Sequence, residues 1–503
     1  MERIPALMAT QHPDCASRFV SVEDEIEEAI VSVTPIGMGG FGCDEVMIDY
    51  EGKLTPYHQP KWVVERALKK GLRPGKSFLI TPRIPHAGLE GIDRQVFIII
   101  SALSTNAYIQ LLASPIRYVI HPMTAQTSDL IDVRRRLLKL QKFANEEMGL
   151  RPLPEISIIP LFEDVVKMLH VREIMEGYRG AMIKELGLYE DLFRVFIGKS
   201  DTALSYGHMA SVLALKYALS ELGSWAEEMN LHVFPIIGVG RLPFRGYLSP
   251  ENVGSFVREY RGFYTVTIQS GIRYDARAED AARVVRLLKE KRGGRPTVFD
   301  EDMKRLVTRL IRIFAETYLE AILPIAETIC SISDAVPGRR ARMERGAYHR
   351  EIEWSISFLG DPQLSRLARE IALPRAIKFV ASLYTMGIPP SIVGLGRGLR
   401  AVRERMGDEA YEVLLSMYPS IVNDVRFDLQ YLDLELARSY AGDVWDLLRQ
   451  DVDAVEEMLG VRAEETDVSS SNSRILREIR KRLGSPEAEP LILEAGRLRG
   501  SLG

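Results

Sequence analysis

Up to about residue 275, short apolar and β-branched runs alternate with amphipathic stretches. The runs fall at residues 6–10, 45–50, 77–83, 117–122, 156–163, 193–201, 233–240 and 264–269. Most are continuously apolar rather than alternating, which is how strands buried on both faces of a parallel sheet read. Between them, helical periodicity predicts helices over 22–33, 61–70, 94–112, 130–147, 165–185, 209–228 and 250–260. Ser21 ahead of Glu23 to Glu25, and Ser249-Pro250-Glu251, supply start signals. Eight strands alternating with helices is the count of a (β/α)8 barrel. The rival, a doubly wound open sheet, usually carries a Gly-rich loop after its first strand, and residues 6–10 have none.

After about residue 278 the pattern changes. Helical periodicity dominates, as over 302–321, 363–371 and 376–384, with breaks at Ala335-Val336-Pro337-Gly338 and Gly387-Ile388-Pro389-Pro390. The expected architecture is therefore α/β. A TIM-type barrel over 1–275 carries the site, and an α-helical part over 276–503 packs on it without forming an independent domain. The polar stretch 464–473 reads as a mobile loop.

Composition narrows the class. The chain has 503 residues, of which 46% are hydrophobic and 27% charged, as in an ordinary globular protein. Three cysteines without CxxC spacing speak against a disulfide framework or a zinc ribbon and make a reducing cytoplasm the default location. A net charge of −4 with no long basic run argues against nucleic acid as a partner. The first residues hold no apolar signal core, and the longest apolar run, 96–103, is too short to span a membrane. The basic clusters Arg134–Arg136 and Arg480–Arg482 suit either ion-pair networks at high temperature or plain solvated helix faces.

The candidate chemistry collects at the C-terminal ends of the expected strands: His12, Asp49, Arg83, His121, Glu163, Asp201, Arg241 and Gln269. In a barrel these ends form one mouth, where active sites are built. Glu163 and Asp201, ending strands five and six, suit a hard divalent cation whose other positions are filled by water and substrate. Arg83, Arg241 and Arg245 offer planar donors to phosphate and carboxylate. His12 and His121 are candidates for acid–base work. The set points to a small phosphorylated or carboxylated substrate. The plainer alternatives are helix-capping acids, a histidine shaping a Pro turn, and arginines in surface ion pairs worth little. For Asp49 and His121 a structural hydrogen bond is the better reading.

Several of these residues lie in a recognisable pattern. Ala9-Thr10-Gln11-His12-Pro13 resembles the Thr-Ala-His-Pro-Thr-Glu motif of phosphoenolpyruvate carboxylases. Pro160-Leu161-Phe162-Glu163 resembles their Pro-Leu-Phe-Glu-Thr, and Phe196-Ile197-Gly198-Lys199-Ser200-Asp201 their Ile-Gly-Tyr-Ser-Asp-Ser. Val266-Thr267-Ile268-Gln269 resembles their Val-Thr-X-Gln-Gly, and Arg499-Gly500-Ser501-Leu502-Gly503 their Arg-Asn-Thr-Gly ending. The order along the chain is the same, and the length resembles the short, archaeal-type subfamily.

The resemblance implies that bicarbonate and phosphoenolpyruvate give oxaloacetate and phosphate in a homotetramer that uses Mg2+ or Mn2+. It implies metal ligation by Glu163 and Asp201, and catalysis by His12, Arg241 and Arg245. Substrate binding falls to Arg83, Gln269, Arg339, Arg340 and Lys199. Arg339 and Arg340 resemble the family's Gly-Ser-Arg-Pro loop. Lys199 stands in for a lysine whose usual place holds Leu204. The arginine loop is shortened to Gly240-Arg241-Leu242-Pro243-Phe244-Arg245-Gly246. The rivals are another Mg-dependent barrel lyase acting on phosphoenolpyruvate or pyruvate, a phosphotransferase, and a scaffold on a dead barrel. A phosphotransferase would need a nucleotide site, and no Gly-X-X-X-X-Gly-Lys-Ser/Thr loop occurs. Intact Glu163, Asp201 and His12 speak against the scaffold.

Overall fold

A computed structural model describes residues 4–11, 15–18, 20–22, 24–108, 113–148, 154–338, 358–370 and 373–503. Eight strands close into a barrel in chain order. They are β1 (Leu7–Thr10), β2 (Glu45–Asp49), β3 (Leu79–Arg83) and β4 (Tyr118–His121), followed by β5 (Ser157–Phe162), β6 (Leu192–Gly198), β7 (His232–Gly238) and β8 (Thr265–Ile268). Every neighbouring pair is parallel, and β8 closes on β1 through Leu7 and Val266.

The strands alternate between two apolar environments, which is why they read as continuous apolar runs. Met8, Met47, Leu79, Ile120, Ile159, Leu161, Phe196 and Ile236 fill the barrel interior. Ala9, Val46, Ile48, Ile80, Val119, Val195, Ile237 and Val266 belong to the cluster shared with the surrounding helices. Arg194 and Glu45 also meet in the interior, through bonds of 2.8 and 2.7 Å, and both side chains are fully buried. Thr81 donates to Glu45, and the Arg194 guanidinium lies 4.8 Å from the centre of the Tyr118 ring. β2 and β6 are four strands apart in an eight-stranded barrel, so this pair crosses it.

Three local expectations are corrected. Strand six stops at Gly198, not at Asp201, because Gly198 is the extended residue that opens the helix Lys199–Tyr206. The stretch 165–185 is not one helix; it is split at His170 into Val165–Leu169 and Val171–Ala181, followed by a wider turn at Met182–Leu186. The polar stretch 464–473 is no loop after Glu464 to Thr466. Thr466 caps the helix Asp467–Arg482 by accepting from the Ser469 amide at 3.1 Å, while the Ser469 hydroxyl accepts from the Thr466 amide at 2.7 Å. A Ser/Thr-rich run looks like a loop but here supplies a reciprocal cap.

Two start signals fall one turn early. Helices begin at Glu25 and at Val253, while Ser21 and Ser249 bond to Asp24 and Asn252 in the preceding turns.

Beyond the barrel the regular elements among the described residues are all helices. The long helix Glu301–Ile322 packs against the barrel helix His208–Glu228, and Leu213, Leu219, Leu310 and Phe314 share one apolar cluster. A smaller cluster gathers the last helices around Leu476, Ile479, Ile492 and Leu502, and includes Ala16 from the segment after β1. Among the described residues no helix is long and apolar enough to cross a membrane.

Candidate active site

The C-terminal ends of the strands bring charged side chains together in a way the barrel dictates. Asp49 and Arg83 end β2 and β3 directly opposite each other in register. The Arg83 Nε and Nη2 donate to the two Asp49 carboxylate oxygens at 2.8 Å each. Its Nη1 pairs with Glu51 and lies 4.0 Å from Glu163 Oε1. Burial opposes the Arg83 charge, but Asp49, Glu51 and Glu163 together hold its guanidinium above its ordinary range. Behind Asp49 runs a buried polar chain. The Asp49 amide donates to Gln11 at 3.2 Å, Gln11 to Gln59 at 3.2 Å, and Gln59 to Glu25 at 2.8 Å, with Glu25 paired to Lys53 at 3.1 Å.

Glu163 follows β5 and faces Gly198 at the end of β6. A Cβ on Gly198 would stand 3.2 Å from Glu163 Cγ, so the missing side chain makes room for the acid. Met123 adopts φ 48°, a left-handed conformation seldom seen for methionine, and its amide donates to Glu163 Oε2 at 3.4 Å. Asp201 sits in the first turn of Lys199–Tyr206. That helix is tied back to the β5 loop by Tyr206, whose hydroxyl donates to Asp164 at 2.8 Å.

Arg241 and Arg245 come from the loop after β7. Arg245 donates to Ser200 Oγ at 3.0 Å, to Gln269 Oε1 at 2.7 Å and to the backbone oxygen of Gly503. Burial pushes Arg245 down to about 10, and Asp201 acts in the opposite direction. Arg241 lies against Gly500, where a Cβ would be 2.3 Å from its Cζ and where φ is +76°. Its other contacts are long, 3.4 Å to the Gly271 carbonyl and 3.7 Å to Glu251. His121, at the end of β4, bonds to Thr124 at 2.9 Å. Burial, with His86 adding to it, pushes its imidazole down to about 3, so it stays neutral.

The structure thus gathers Arg83, Glu163, Asp201, Arg241, Arg245 and Gln269 at one mouth. Lys199 is placed elsewhere. Its ammonium is fully buried beneath the loops, donating to Ser211 Oγ, to the His208 carbonyl at 3.3 Å and to the Phe244 carbonyl at 3.1 Å. Burial pushes it down to about 7. His12, Arg339 and Arg340 lie outside the described residues. Three contributors were missed by sequence reasoning. Glu51 was readable as a second acid just past Asp49. Ser200 lay inside a quoted motif. The packing of Gly500 to Gly503 against the arginines had only a motif likeness as its signal.

Among the described residues no group of three or more His, Cys, Asp and Glu is arranged to hold a metal ion. Glu163 and Asp201 remain the candidate donors. Both are hard oxygen ligands, each has an arginine near it, and the glycine beside Glu163 leaves it space. That donor set fits a divalent cation that keeps water or substrate in its other positions.

Fold and site define a (β/α)8-barrel protein in which two acids face arginines suited to phosphate and carboxylate. The chain belongs to the phosphoenolpyruvate carboxylase family, whose model matches residues 4–503. It is 39% identical to the phosphoenolpyruvate carboxylase of Methanosarcina acetivorans, over 98% of this chain and 93% of that one. The Methanosarcina barkeri enzyme of the same name is 37% identical over 98% and 93%. That of Methanopyrus kandleri is 35% identical over 100% and 99%. Membership of this family implies a divalent metal cofactor.

Proposed function

We propose that this mouth joins bicarbonate to phosphoenolpyruvate, giving oxaloacetate and phosphate. The observation that carries the reading is the opposition of Asp201 and Glu163 to Arg245, Arg241 and Arg83 within a chain that matches the family from residue 4 to 503. When bound by Glu163 and Asp201, Mg2+ or Mn2+ supplies positive charge for the substrate carboxylate and the enolate oxygen.

The protein's own residues do the rest. Arg83 and the Met123 amide orient Glu163. Arg241, whose protein contacts are long, faces the phosphoryl group as bicarbonate attacks phosphorus. Arg245 is fixed by Ser200 and Gln269 and adds its charge behind that group. Phosphorus–oxygen cleavage leaves carboxyphosphate and the enolate of pyruvate. His12 then takes the carboxyphosphate proton, which frees carbon dioxide and phosphate. The enolate carbon attacks carbon dioxide to form oxaloacetate. Arg339, Arg340 and Gln269 complete the hold on substrate. The segment Gly500 to Gly503 covers the arginines and keeps water from protonating the enolate. A homotetramer working in the cytoplasm completes the reading.

The test is oxaloacetate formation from phosphoenolpyruvate, bicarbonate and Mg2+ without nucleotide. Oxaloacetate that depends on bicarbonate supports the reading. Aldol cleavage, or transfer that requires nucleotide, would replace it with a rival.

A further inference from the structure

Lys199 was expected to touch substrate, yet it is enclosed. Its position in the chain is informative: it is followed by Ser200 and then by Asp201. Its ammonium reaches across to the loop after β7 and donates to the Phe244 carbonyl at 3.1 Å. The next residue in that loop, Arg245, reaches the other way and donates to Ser200 Oγ at 3.0 Å. Two consecutive residues at the start of the helix and two in the loop therefore exchange bonds, one to a backbone carbonyl and one between side chains. The remaining bonds of Lys199, to Ser211 and the His208 carbonyl, anchor the exchange to the helix His208–Glu228. Ser211 itself donates to the His208 carbonyl at 2.7 Å, so this end of the clasp is rigidly framed. Gly246, at φ +112°, lets the loop fold against Val239, from which a Cβ there would stand 2.5 Å.

We propose that Lys199 is a positioning residue, whose bonds to Phe244 and Ser211, together with the reciprocal Arg245–Ser200 bond, set the helix bearing Asp201 against the loop bearing Arg241 and Arg245. The proposal rests on the reading of the mouth given above. A buried ammonium with three acceptors costs much desolvation unless every bond is made, so it holds its partners in one arrangement. A donor at this point, and not an apolar side chain, couples the helix bearing Asp201 to its surroundings, because its acceptors lie on two segments, the helix His208–Glu228 and the loop after β7.

The experiment compares the wild-type chain with Lys199→Met, which keeps the length and removes the donors. Three readouts are taken: kcat and KM for phosphoenolpyruvate at saturating metal, Mn2+ affinity from the electron paramagnetic resonance of free Mn2+, and the melting temperature. A mis-set pair of loops should lower kcat by about tenfold or more. Mn2+ affinity should weaken on the order of tenfold, as for outer partners of metal ligands. A lysine that only stabilises the fold would lower the melting temperature while kcat and Mn2+ affinity of the folded protein stayed within about twofold; that result overturns the proposal. If Lys199→Met does not fold, Ser211→Ala takes its place, since among the described residues the Ser211 hydroxyl bonds only to Lys199 and the His208 carbonyl. Weaker Mn2+ binding with the fold intact supports the clasp, and unchanged binding overturns it. A wild-type chain that makes no oxaloacetate would instead remove the functional reading itself.

Discussion

Asp49 and Arg83 stand in register on neighbouring strands and are joined by two parallel 2.8 Å bonds, which consume the fork of an arginine that the sequence offered as a substrate ligand. Arg83 is thereby turned toward Glu51 and Glu163 instead of being left to close on substrate alone. Asp49→Asn keeps the shape and removes the charge. Losing charge-assisted character in this pair should cost about 1.5–3 kcal/mol, read as lower kcat/KM with the melting temperature also reduced. Unchanged kinetics would confine the pair to a structural role.

Asp201→Asn removes one of two charged donors at a partly open position. Activity should fall by more than about a hundredfold while circular dichroism and melting remain near wild type. Near-normal turnover at ordinary Mg2+ would exclude Asp201 as a ligand.

Arg241→Lys keeps the charge and loses the planar fork. The expected loss is about 1–3 kcal/mol in transition-state binding, seen in kcat/KM for phosphoenolpyruvate. Wild-type kcat/KM would place Arg241 outside the phosphoryl contact.

Gly500→Ala meets two obstacles at once. Its Cβ would fall 2.3 Å from Arg241 Cζ, and its φ of +76° is unfavourable for alanine. The conformation alone should cost about 1–2 kcal/mol, and displacement of Arg241 should depress kcat/KM in addition. A variant that melts lower yet turns over normally would show that Gly500 matters to folding but not to the placement of Arg241.

His12→Asn separates the two chemical stages. On the proposed course phosphate transfer to bicarbonate does not need the base, so it should persist at a reduced rate. Decarboxylation of carboxyphosphate should slow by about 100- to 10,000-fold, and the enolate should be protonated instead. The expected products are pyruvate and phosphate, formed only with bicarbonate present. Normal oxaloacetate, or pyruvate release that ignores bicarbonate, contradicts this role.

The barrel was legible because burial on both faces writes long apolar runs, and each run ended close to the observed strand. The acids and arginines of the mouth were legible because strand ends converge. Two things were hidden. The first was where β6 stops. Gly-Lys-Ser-Asp continues a strand as readily as it opens a helix, and only the start of the helix after Gly198 sends Lys199 inward while Asp201 stays at the mouth. The second was which charges neutralise one another. Asp49 and Arg83 lie 34 residues apart, and no local pattern announces that they pair. The Ser/Thr run around Thr466 misled for a related reason, since the composition of a loop is also the composition of a helix cap.

The Arg194–Glu45 bond across the barrel, under packed Met8, Met47 and Phe196, gives the interior a sealed floor. On the proposed course carbon dioxide is released above that floor. Those described side chains fill the barrel below it, so on this course it either meets the enolate or leaves by the way the substrates came in. The yield of oxaloacetate per phosphate released thus becomes a race decided at the rim, and changes that loosen the rim should waste phosphoenolpyruvate before they slow its consumption.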